Sequence, residues 1–96
     1  MLSHDVVATA ANIGDNLRTW RKLLGLRSEQ VAERAGISKV TYSKIENGAT
    51  GVSLGNVLSV FRALGLMSKV ESVTDPYEHD LGRARANQIL PKRVRR

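Results

Sequence analysis

One stretch, SEQVAERAGISKVTYSKIENG at residues 28–48, constrains the fold of this 96-residue chain more than any other. It predicts two short helices joined by a tight turn. In the first, Val31, Ala32 and Ala35 recur on one side at helical spacing. Gly36 follows, a residue that takes the left-handed conformation without a Cβ penalty and so ends helices. Ile37 is expected as a buried peg in the turn. Ser38 then has the chemistry of an N-cap. The helix it opens turns Tyr42 and Ile45 inward and closes at Asn47-Gly48. Helices that cross steeply after so short a turn need a small residue at their closest approach, and Ala32 meets that need; a leucine there would push them apart.

The flanks extend the pattern. A helix is expected from about residue 13 to 24, with Ile13, Leu17, Trp20 and Leu24 inward and Gly25 stopping it. Before it, Val6, Val7, Ala10 and Ala11 leave two forms open, a backward extension of that helix or a loose arm. Beyond Gly48, Ser53 can cap a helix whose stripe is Leu54, Val57, Leu58, Phe61 and Leu64, ended by Gly65. A shorter fifth helix is expected with Leu66, Val70 and Val73 as its apolar positions, until Asp75-Pro76 breaks it. The expected fold is all-α, a compact bundle of four or five helices with Trp20, Leu24, Val31, Ile45, Val57 and Phe61 in one core. Its organisation is an N-terminal arm (1–12), a helical domain (13–73) and a basic tail (74–96). No internal repeat points to a solenoid.

Composition narrows the function classes. A chain of this length holds one modest core, and 42% hydrophobic residues suffice for it. Aromatics at 4% argue against holding single strands by stacking. The net charge of +6 suits a polyanionic partner, although a basic protein without one is the plain alternative. The absence of cysteine excludes disulfides and thiolate metal sites. No apolar run approaches the roughly 20 residues of a membrane span, and no signal-like N-terminus is visible, so a cytoplasmic location is expected. Ser3, His4 and Asp5 are the residue types of a hydrolase triad, but adjacent residues at a chain end cannot hold its geometry. No phosphate loop, paired metal-ligand histidines or HExxH motif occurs, so no enzyme, cofactor or metal is expected.

Residues 28–48 resemble the helix-turn-helix of the lambda-repressor-like (Xre-type) DNA-binding family. The small residue falls on Ala32, the turn glycine on Gly36, the packing positions on Tyr42 and Ile45, and the ending Ile45-Glu46-Asn47-Gly48 is a family signature. Leu17-Arg18, Arg21 and Gly25-Leu26 match its first helix, and the resemblance covers about residues 13–66. Two departures stand out. The family's usual Thr-Gln at the start of the second helix is Arg27-Ser28 here, so a phosphate-contacting glutamine is missing. Tyr42 replaces a Val or Ile, which suggests that its hydroxyl finds a polar partner at the core margin.

The second helix of the pair would be the reading helix. Its outward face is Lys39, Val40, Thr41, Ser43 and Lys44. Val40 could touch a thymine methyl in the major groove, and an ordinary exposed valine is the alternative. Lys39 and Lys44 could donate to guanine O6 and N7 or reach a phosphate. The resemblance implies base contacts at Lys39, Val40 and Lys44 with Ser43 nearby, and phosphate contacts at Arg27, Ser28 and Asn47, to which Ser38 is added. Arg27 can supply by charge what the absent glutamine supplied by hydrogen bond. The resemblance also implies a salt bridge between Glu46 and Arg21, holding the first helix against the end of the reading helix; a solvated Glu46 is the alternative.

The tail holds six basic and three acidic residues, with Tyr77, Leu81, Ile89, Leu90 and Val94 scattered among them. Read as disordered, it adds salt-sensitive affinity for DNA; read as a segment that orders on a partner or across a dimer, its apolar residues are anchors. Its PKRVRR ending is similar to a nuclear-import signal. Three functions follow. The first is a homodimeric regulator of transcription, most simply a repressor, on double-stranded DNA, with Val70, Val73, Tyr77 and Leu81 as candidate dimer or partner contacts. The second is an antitoxin whose tail neutralises a toxin while the domain represses its own operon, since the tail is similar to that of regulators paired with kinase-type (HipA-like) toxins. The third is a restriction–modification controller or phage repressor.

Overall fold

The computed structural model describes residues 1–90, all of whose regular structure is helical. The helices are α1 (His4–Leu23), α2 (Ser28–Ala35), α3 (Lys39–Glu46), α4 (Leu54–Ala63), α5 (Met67–Thr74) and α6 (Asp80–Ile89), with a short 3-10 turn at Pro76–Glu78. The all-α class stands, and the count passes the expected four or five because a sixth helix forms in the tail. The chain divides into two compact units, Met1–Leu66 and a second beginning at Met67. The import-signal-like ending lies outside the described residues.

In the first unit α2 packs on α3 and α4, and α1 packs on α3. The core is Leu17, Val31, Ala32, Ala35, Tyr42, Ile45, Val60 and Leu64. One device closes four of its helices. The N–H groups of Leu26, Ile37, Ala49 and Leu66 each reach back five residues to a carbonyl, of Arg21, Ala32, Lys44 and Phe61, at 2.8–3.0 Å. Each sits just after a glycine with positive φ, as such a motif requires. Leu26, Ile37 and Leu66 pack against the core from these corners, so Ile37 is half-buried rather than the buried peg expected.

Two expectations for α1 change. Residues 4–12 are helical and continuous with the rest, which selects extension over a loose arm. Ile13, Trp20 and Leu24 do not face the core: Trp20 is 42% exposed, and the buried residues of α1 are Gly14 and Leu17, with Arg21 partly buried beside them. The inward line 14-17-21 has the same helical period as 13-17-20-24, rotated by part of a turn. The rotation follows from a close approach. A Cβ on Gly14 would lie 2.3 Å from the Glu46 carbonyl oxygen, and one on Gly48 2.8 Å from the Ala11 Cα. Backbone therefore meets backbone where α1 crosses the end of α3, and only glycine fits there.

In α4, Ser53 caps through its side chain, which accepts from Asn56 N–H. Val60 and Leu64 are buried, with Val57 and Phe61 packed against them, whereas Leu54 is 71% exposed. Leu54 occupies the first turn, where the stripe runs past the edge of the core. In the second unit the Asp75 carboxylate accepts from the Tyr77 N–H at 2.9 Å and Pro76 opens the 3-10 turn. Helix α6 packs onto that turn at Gly82, where a Cβ would clash with the Pro76 carbonyl. Residues 75–89 are thus folded within the chain, unlike the disordered reading of the tail. Arg83 holds the fold by donating to the Tyr77 carbonyl at 2.7 Å and pairing with Asp80.

Candidate nucleic-acid interface

Helix α3 owes its direction to its two ends. At the start, Ser38 Oγ accepts from Thr41 N–H at 3.1 Å and donates to Thr41 Oγ1 at 2.9 Å. Both bonds hold the Ser38 hydroxyl in the cap of α3. At the far end Glu46 is buried, an acid that folding tolerates only if paired. Arg21 Nε donates to its Oε2 at 2.6 Å, Arg18 Nε donates to its Oε1 at 3.3 Å, and the Tyr42 hydroxyl donates to Oε2. Arg21 also donates to the Leu26 carbonyl at 3.2 Å, joining the cluster to the turn after α1. No buried side-chain polar atom among the described residues lacks a partner.

The electrostatics follow from that set. Burial pushes the Glu46 carboxyl up, but hydrogen bonds from Arg21, Tyr42 and Arg18 and the charge of Arg21 outweigh it and hold it below its ordinary value. Burial, with the Glu46 hydrogen bond and charge, pushes the Tyr42 phenol up. The hydrogen bond to Glu46 raises the Arg21 guanidinium. Arg18 is a member of the cluster that the expected pair of Glu46 and Arg21 does not include. It sits three residues before Arg21, hence on the same face, and it extends the network to the surface: its Nη2 donates to Asn47 Oδ1 at 3.1 Å.

Between these ends lies a face with nothing to bury. Val40 is 66% exposed, and Lys39 and Lys44 are exposed on either side of it. Thr41 and Ser43, expected on the same outward face, are half-buried. Lys44 lines a cleft with Thr41, Ala49, Gly51, Val52, Ser53 and Asn56. Lys39 is paired with Glu29 of α2 at 2.8 Å, and Arg27, exposed at the N-cap of α2, lies 3.7 Å from the same carboxylate. Hydrogen bonding to Lys39 draws the Glu29 carboxyl below its ordinary value. Gln30 Oε1 accepts from the Arg27 N–H at 2.8 Å, so α2 is capped by its own third residue, and Ser28 is half-buried beside it.

The candidate dimer or partner residues lie in the second unit. Val70 and Tyr77 are half-buried, and Val73 and Leu81 are exposed. His79 Nε2 lies 2.7 Å from the Val73 carbonyl, joining the end of α5 to the start of α6. Among the described residues no group of His, Asp or Glu is arranged to hold a metal ion, and no helix is long and apolar enough to cross a membrane.

No curated protein matches the chain. A family model described as a helix-turn-helix domain matches residues 12–72. That span runs from the middle of α1 into α5, and includes α2, α3 and the Glu46 cluster. With the α2–turn–α3 unit and the exposed face of α3, the match makes this chain a member of the helix-turn-helix domain family, the DNA-binding regulators.

Proposed function

We propose that this protein is a sequence-specific regulator of transcription that binds double-stranded DNA as a homodimer on an inverted repeat, and that it acts as a repressor by occluding a promoter. The observation that carries this reading is the exposed face of α3. Lys39, Val40 and Lys44 stand free of the core while Tyr42, Ile45 and Glu46 are locked into it. A helix held so firmly on one side presents the other as a rigid probe for base edges. Arg27 and the Asn47 side chain flank it as phosphate contacts, and phosphates fix the register while bases supply specificity. One such helix reads only a few base pairs. A symmetric dimer doubles the site, with half-site centres about one turn apart, roughly 34–36 Å. The dimer is assigned to α5 and the residues after it, around Val70, Val73 and Tyr77.

Selection of binding sequences from a random duplex pool, followed by titrations across salt, tests the reading. An enriched inverted repeat is expected, with affinity falling steeply as salt rises. Enrichment of no sequence, or a salt-independent affinity, overturns it.

A second role is favoured by one observation. In the second unit Val73, Leu81 and Ile89 are exposed on short helices, a surface suited to a protein partner such as the toxin of an antitoxin pair. Co-expression with the product of the neighbouring gene tests it: growth rescue by the native chain that is lost in Leu81→Asp supports an antitoxin, and rescue by neither excludes it.

A further inference from the structure

Glu29 is an acid on the face that the DNA-reading proposal assigns to DNA. It is no part of the Glu46 cluster. Its carboxylate lies between two cations of that face, 2.8 Å from Lys39 Nζ and 3.7 Å from Arg27 Nε, and all three side chains are more than half exposed. The pairing is not required for folding, since neither charge is buried and exposed pairs contribute little to stability. Near DNA, however, such an arrangement has two effects. A carboxylate repels every phosphate, whatever the sequence, and lowers the attraction that Lys39 and Arg27 would otherwise exert. A lysine ammonium is also a point charge on a flexible stem, without the directional fork of arginine. Unrestrained, it turns to the nearest phosphate, a contact that carries no sequence information.

We infer that Glu29 determines specificity: resting on the reading of α3 as the DNA-reading helix, its carboxylate tethers Lys39 at the start of α3 so that the ammonium addresses a base edge rather than the backbone. Arg27, farther from the carboxylate and at the N-cap of α2, remains the phosphate contact. Glu29 thus acts in two ways, reducing affinity for DNA of any sequence and raising the ratio of operator to random binding. It is a positioning residue, acting on the base through Lys39.

The test uses the full chain, an operator selected by the native protein and a random duplex of equal length. Glu29→Gln keeps the shape and removes the charge. Random-duplex binding should tighten by about two- to fivefold. The slope of log affinity on log salt should steepen by about 0.9 for each cation released to a phosphate, and the operator-to-random ratio should fall. Glu29→Asp keeps the charge but shortens the reach, so the ratio should fall while random binding stays within about twofold of native. In a Lys39→Met background, Glu29→Gln should still tighten random binding but leave the ratio unchanged. Native ratio and slope in Glu29→Gln overturn the inference, as does a ratio that falls equally with and without Lys39. A native protein that enriches no sequence overturns the DNA-reading proposal itself. Unchanged helical content and melting midpoint in each variant exclude misfolding as the cause.

Discussion

Tyr42 and Glu46 stand one helical turn apart on α3, both buried, and the phenol donates to the carboxylate that Arg21 grips at 2.6 Å. This relationship turns the last turn of α3 into a fixed joint between α1 and α3. Removing Arg21 leaves a buried carboxylate with only Arg18 and Tyr42. Arg21→Ala should destabilise by roughly 3 kcal/mol, the lower end of the cost of orphaning a buried charge because two donors remain. Tyr42→Phe removes one donor to a charged group and should cost about 1.5–3 kcal/mol. Chemical denaturation measures both, and native midpoints would show that the joint carries no stability.

The same carboxylate makes stability depend on pH. Glu46 titrates below its ordinary value of 4.5 in the folded chain, so the unfolded chain takes up its proton first as the solution is acidified. Its contribution is full above 4.5 and is lost as pH falls through the lower, folded value. Melting midpoints should therefore be insensitive to this group near neutrality and decline in acid. In Glu46→Gln the midpoint should be lower at neutral pH and its acid decline shallower. An identical acid decline in both proteins would count against the ion pair.

Two helical glycines should respond in opposite directions. Gly14→Ala puts a methyl group 2.3 Å from the Glu46 carbonyl, which must move backbone against backbone; overpacking of this kind costs about 1–3 kcal/mol. At Gly55 in α4 a Cβ would meet nothing within 4 Å. Gly55→Ala should stabilise by roughly 0.5–1 kcal/mol through helix propensity. Thermal melts of the pair decide it, and a native or higher midpoint in Gly14→Ala would refute the close crossing of α1 and α3.

Lys44 faces outward beside the cleft at the start of α4. If it reads a base, Lys44→Ala should lose about 1–3 kcal/mol on the selected operator and relax preference at one position of each half-site. Parallel titrations on operator and random duplexes check this. Equal losses on both would make Lys44 a phosphate contact.

Val70→Asp places a charge at the proposed dimer surface. It should lower operator affinity while the circular dichroism spectrum stays nearly native. Sedimentation at the same concentrations should show the native chain as a dimer and the variant as a monomer. Full affinity of a native monomer for a lone half-site would refute the arrangement.

Local chemistry determined by itself much of this protein. The helix ends at Gly25, Gly36, Gly48 and Gly65, the caps at Ser38 and Ser53 and the inward Val31, Ala32, Tyr42 and Ile45 all follow from residue type and spacing, because caps and periodicity act within a turn or two of chain. The tertiary structure decided the rest. Trp20 and Leu24 looked like core and are exposed, because the side of α1 that faces α3 was chosen by the absence of a side chain at Gly14, which no hydropathy pattern registers. Of the partners of Glu46, Tyr42 lies one turn before it on α3, but the two arginines come from another helix, 25 residues away for Arg21 and 28 for Arg18. The pairing of Glu29 with Lys39 likewise exists only once α2 and α3 have crossed. Spacing along a chain specifies which faces can be buried; which charges meet depends on the crossing of helices, and that is a property of the packed whole.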